Sequence, residues 1–64
     1  MINVTKLNGV VITVNPDFIE VIEETPDTVI TMSTGRKIIV KESRQEIINL
    51  IKSFRKDTLA FSEK

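Results

Sequence analysis

Nine carboxylates and nine cations are the side chains through which this 64-residue chain could do chemistry, since it holds no Cys, His, Trp or Tyr. Paired acids such as Glu23 and Asp27 could in principle divide general-acid and general-base work. That role requires a sequestered site that moves their pKa values apart, and charged turn residues in so small a domain are too well solvated for it. Ser33, Ser43 and Ser53 have no His or Cys to form an activated nucleophile with them. Gly9 and Gly35 stand alone, so no glycine-rich loop can cradle a phosphate. Without Cys there is no disulfide and no thiolate zinc or iron–sulfur site, and without His the commonest transition-metal ligand is missing. No loop has the acidic spacing of a calcium site. The expectation is a protein that is not an enzyme and carries no cofactor.

The charges instead suggest binding. They cancel overall, which argues against the electrostatic footprint of a general nucleic-acid binder. Their distribution is uneven. Residues 17–27 carry Asp17, Glu20, Glu23, Glu24 and Asp27 with no base, while residues 36–44 carry Arg36, Lys37, Lys41 and Arg44 against Glu42 alone. One reading is ordinary solvated charge, in which exposed pairs contribute only about 0–1 kcal/mol. The other is two complementary patches that orient a partner or a second copy of the chain. On that reading Glu20, Glu23, Glu24, Thr25, Pro26 and Asp27 form a docking region around one acidic turn. Arg36, Lys37, Lys41 and Arg44 form the corresponding basic set, which would serve an RNA if the chain bound one. The three aromatics, Phe18, Phe54 and Phe61, are few for stacking on bases, and nucleic acid is therefore the weaker expectation.

The elements that must position these groups are marked by four turn signals: Asn8-Gly9, Asn15-Pro16-Asp17, Thr25-Pro26-Asp27 and Thr34-Gly35. Ile2 to Leu7 alternates with the two-residue period of a strand. Asn8-Gly9 is expected to turn it through a two-residue hairpin into Val10 to Val14. Phe18 to Glu24 admits two readings. Phe18, Ile19 and Ile22 fit a short helical stripe with Asn15 as cap and Pro16 at the first position, but β-branched residues fill its middle and favour a strand. Thr28 to Ser33 and Lys37 to Lys41 are further strands on either side of Thr34-Gly35. A single helix follows, opened by the capping box Ser43-x-x-Glu46, with Ile47, Ile48, Leu50, Ile51 and Phe54 on one side and Gln45, Asn49, Lys52, Arg55 and Lys56 on the other. The expected fold is α+β and β-rich: an antiparallel meander of about four to five short strands, then one C-terminal helix. Residues 1–56 form its single domain and residues 57–64 a tail that extends the helix, caps an interface or frays.

Both parities of Val10 to Val14 and of Ile38 to Val40 are apolar, which in a strand calls for cover on both sides of the sheet. One helix covers one side. A chain of this length buries only about 60% of its unfolded surface and has no disulfide or metal to support it, so self-association into a homo-oligomer is the expected remedy. No apolar run exceeds three residues, which is far short of a membrane span. The start has no basic segment leading into an apolar one, and the chain reads as cytoplasmic.

The turn-bearing segments also carry a likeness. Thr5-Lys6-Leu7-Asn8-Gly9, Val14-Asn15-Pro16-Asp17 with Ile19-Glu20 and Ile22-Glu23, Thr25-Pro26-Asp27-Thr28-Val29-Ile30-Thr31, Gly35-Arg36-Lys37 and Val40-Lys41-Glu42-Ser43 together resemble the small bacterial flagellar family called FlbD or SwrD. The likeness spans about residues 1–56, and Thr25-Pro26-Asp27-Thr28 is its most specific block. It implies a cytoplasmic accessory protein of flagellar motility or swarming that supports motor function, with motor or stator components at the cytoplasmic face among its partners. It carries no catalytic residue with it. The strand-rich layout leading into Val40-Lys41-Glu42-Ser43-Arg44 is also similar to the carbon-storage regulators. That similarity implies the alternative, an RNA-binding post-transcriptional regulator that uses a basic residue near the helix start.

Overall fold

The computed structural model describes residues 1–59, with side chains described through Arg55. Five antiparallel strands and one helix follow one another: β1 (Ile2–Thr5), β2 (Val11–Val14), β3 (Ile19–Glu24), β4 (Thr28–Met32), β5 (Lys37–Val40) and α1 (Arg44–Leu59). The expected α+β architecture is the one observed. The five strands divide into a β1–β2 hairpin and a β3–β4–β5 meander. The hairpin lies against the far edge of the meander: a bridge pairs Lys6 with Val40, and the Lys41 N–H donates to the Thr5 carbonyl at 2.8 Å. β1 therefore neighbours β5, giving the lateral succession β2, β1, β5, β4, β3.

The first glycine turn differs in length from the expected two-residue loop. The Lys6 N–H donates to the Val10 carbonyl and the Gly9 N–H to the Lys6 carbonyl, so the loop is Leu7-Asn8-Gly9. The second turn repeats this pattern through Met32, Gly35 and Arg36. In each loop only the glycine takes positive φ, 91° at Gly9 and 93° at Gly35, because a three-residue hairpin needs one left-handed residue where the two-residue type I′ turn needs two. Asn8 stays at negative φ and uses its side chain to accept the Val10 N–H.

The ambiguous third run is resolved by a division of labour. Asn15 accepts the Asp17 N–H and caps a single 3-10 turn, Pro16–Phe18, after which the chain is strand. The strand has a bulge: Ile19 pairs with Met32 and Val21 with Thr31, leaving Glu20 as the extra residue. That insertion lets Ile19 and Ile22, three apart, both pack against the core. The same spacing is what resembles a helix in the sequence.

The core is Ile2, Val4, Val14, Ile30, Ile38, Val40 and Ile47, with Ile12, Ile19, Ile22, Leu50, Ile51 and Phe54 packed around it. One parity of β1, β2, β4 and β5 supplies it, β3 adds Ile19 and Ile22 across its bulge, and α1 closes it by packing on β1 and β3. The capping box forms completely: the Glu46 N–H donates to Ser43 Oγ at 3.1 Å and the Ser43 N–H to Glu46 Oε1 at 2.7 Å. The helix runs on to Leu59, into the segment expected to be a tail. The rest of that tail lies outside the described residues. No helix among the described residues is long and apolar enough to cross a membrane.

Candidate functional site

The register of the meander determines what its outer side presents. Strand parity sends Ile30, Ile38 and Val40 inward, so their neighbours must face away from the helix. Glu23 pairs with Val29 and Val29 with Ile39, making one outward row. Val21 pairs with Thr31 and Thr31 with Lys37, making the next. The outer face thus has Val21 and Ile39 at the ends of one diagonal, with Val29 beside Ile39 in its row, and Glu23 and Lys37 at the other two corners. Val21 and Ile39 are each 43% exposed, and no element of the described chain covers them. Leu7, carried alongside β5 by the Lys6–Val40 bridge, borders a shallow depression of about 390 Å³ shared with Arg36, Lys37 and Ile39. Burying this face would remove apolar side chains from water at about 25 cal/mol per Å².

The charges expected to act in docking are distributed around this face. Glu23 is on it, and Glu20 is exposed at the bulge of β3. Thr25, Pro26 and Asp27 form the exposed turn beyond the same strand, where the Thr25–Pro26 peptide is cis and the Thr25 N–H donates to the Asp27 carbonyl. Glu24 serves the helix instead. Its Oε1 accepts the Arg44 N–H at 2.9 Å, placing a carboxylate at the positive end of the α1 dipole. Of the basic set, Lys37 is on the outer face and Lys41 is exposed just past β5, while Arg36 lies in the preceding turn and Arg44 opens the helix. The structure brings Lys37 and Lys41 to the same strand, one at each end of β5 with Ile39 between them, and leaves Arg44 on a separate element.

Glu42 is an anchoring group that sequence patterns do not single out. The Thr5 N–H donates to both of its carboxylate oxygens, at 2.8 and 3.1 Å, across 37 residues. Burial alone would raise this carboxyl. The Thr5 donor, the residue's own backbone N–H and the neighbouring Lys41 charge outweigh that effect and hold it below its ordinary 4.5. A second opening, about 420 Å³, lies between β2 and the β4–β5 turn, lined by Ile12, Val14, Phe18, Met32, Arg36 and Ile38. Val21 and Val29 are likewise not evident as surface residues from the sequence, because only strand pairing shows that they join Ile39. Among the described residues, no group of three or more His, Cys, Asp or Glu side chains is placed to hold a metal ion.

These features define a small α+β domain whose most distinctive surface is an open, apolar sheet face edged by opposite charges. The model of the family described as flagellar and swarming motility proteins, FlbD, matches residues 1–59, and the chain belongs to that family. No curated protein and no solved structure matches it. Membership assigns the chain to flagellar and swarming motility.

Proposed function

We propose that the chain is a non-enzymatic interaction module that supports the flagellar motor from the cytoplasmic side, acting by protein–protein contact with itself and with motor or stator components. The observation that carries this reading is the outer face of β3–β5: exposed Val21 and Ile39 beside Val29, with acids gathered on the β3 side and lysines on the β5 side. An apolar centre with a charged rim is the anatomy of a protein interface. The opposite charges at its two sides favour one orientation of a partner over others. The basic side alone, Lys37 and Lys41 separated by Ile39, is what the RNA-binding alternative has to rest on.

Charge reversal tests the reading. Glu20→Lys combined with Asp27→Lys changes exposed groups at the acidic edge and spares Glu24, which bonds the helix. Swarming is expected to fall while the circular dichroism spectrum and unfolding midpoint stay near those of the parent. Unchanged swarming would show that the acidic edge is ordinary solvated surface. Capture of a tagged chain from motile cells adds the identity of the partner: flagellar motor proteins support the proposal, and transcripts in their place would favour the RNA reading.

A further inference from the structure

We infer that the outer face of the β3–β5 meander is a self-complementary surface, and that its occupant is a second copy of this chain, docked face to face with the strands crossed. The inference rests on the interaction reading above and gives it a geometry.

Two outward rows cross the face, Glu23–Val29–Ile39 and Val21–Thr31–Lys37. Val21 and Ile39 are diagonal to one another, and so are Glu23 and Lys37. A two-fold axis lying in the plane of the face along the Val21–Ile39 diagonal leaves Val21 and Ile39 over their own counterparts and sets Val29 beside the partner copy's Thr31. The same operation carries the charged corners across the diagonal, bringing Glu23 of each copy close to the partner copy's Lys37, within reach of its long side chain. Symmetric pairs use one patch twice, so a patch must complement itself under the operator to serve. This one does so at the two apolar ends of its diagonal and at its two charged corners. Neighbouring strands lie about 4.8 Å apart and alternate residues about 6.8 Å apart along a strand, so this operator crosses the strands of the two copies at roughly 70°. That is close to the orthogonal mode of sheet-on-sheet packing.

The surroundings of the face agree with a second copy. The acids at its β3 edge, Glu20, Glu23 and Asp27, have no lysine or arginine among them, and the β5 edge carries Lys37 and Lys41. A uniformly acidic or uniformly basic partner would satisfy only one edge. A second copy satisfies both. The middle of the patch is β-branched, Val21, Val29, Thr31 and Ile39, so its side chains lose little rotamer freedom on packing. Three short strands offer less than the roughly 800 Å² per partner of a standard interface, so the pairing is expected to be concentration-dependent.

The experiment is sedimentation equilibrium of the purified full chain from about 1 to 500 µM, a range that brackets modest affinities. The expected result is a monomer–dimer equilibrium. Ile39→Glu, at a half-exposed position on the diagonal, is expected to weaken it about tenfold or more. Glu23→Lys and Lys37→Glu should each weaken the dimer, and the two together should restore it, since the exchange leaves every cross-copy contact between opposite charges. Should Ile39→Glu unfold, the exposed charge variants still decide the matter. A strictly monomeric parent chain at the top of that range overturns the inference, as does a dimer indifferent to Ile39→Glu. Two single charge variants that weaken the dimer without rescue in combination overturn this operator. A monomeric chain that still captures flagellar proteins would remove the self-pairing and leave the interaction reading standing, whereas a dimer that captures nothing would do the reverse.

Discussion

Glu42 and Thr5 are 37 residues apart, and their contact ties the hairpin to the end of the meander. The carboxylate accepts twice from one N–H, a charge-assisted arrangement, while half-shielded from water. Glu42→Gln keeps the shape and removes the charge. Its expected cost is about 1 kcal/mol, below the usual range for bonds to charged groups because the site is partly solvated. Because the folded-state carboxyl is held below 4.5, its contribution to stability is fully present above that value and is lost as pH falls through the lower folded-state value. Urea unfolding at neutral pH and again well below the ordinary carboxylate range measures this. The parent is expected to lose more of its stability on acidification than Glu42→Gln does, and equal losses would show that the Thr5 bond does not depend on the charge. No local pattern exposes Glu42 in the sequence, since its partner is contributed by another strand. Gly9 and Gly35, by contrast, are legible as turn residues from type alone. The length of their loops is not, because Asn8 and Thr34 are compatible with more than one turn and the partner strand's register selects among them.

At the scale of elements, α1 is the most readable part of the chain. Its start depends on bonds between residues three apart, and Ser43 and Glu46 make both of them. Ser43→Ala removes the acceptor for the Glu46 N–H and should cost about 1 kcal/mol, measurable as a lowered denaturant midpoint with an unchanged slope. A change under about 0.3 kcal/mol would mean that Glu24, which accepts the Arg44 N–H, satisfies the helix end by itself. β3 shows the opposite case. Phe18, Ile19 and Ile22 mimic a helical stripe because a bulge at Glu20 adds one residue to a strand, and bulges are set by the strand alongside. In the sequence the acidic run containing Glu24 reads as one docking region, yet that residue is bound to the helix start. Only the three-dimensional neighbourhood separates the structural acid from the surface ones.

For the whole molecule, the question is how a chain this small uses two sides of a sheet with one helix. The inner side is closed: Val4, Ile30 and Ile47 have no exposed surface. The outer side of the meander retains Val21 and Ile39 in water, and the double parity of Ile38 to Val40 foreshadows this. Order along the chain does not show the cluster that Val21, Val29 and Ile39 make, since that arrangement follows from two sets of strand pairings. Val11, 61% exposed, belongs to the β1–β2 hairpin and pairs with Thr5, two strands over from β5 and outside the β3–β5 meander. Two exposed apolar residues thus differ in consequence: Ile39 sits in the proposed interface and Val11 outside it. Swarm expansion separates them most sharply, in cells whose only copy of the chain carries Ile39→Glu or Val11→Glu, after both proteins are shown to be folded and present at parental levels. Lost swarming is expected for the first and near-parental swarming for the second; parental swarming with Ile39→Glu would contradict a role for the outer face.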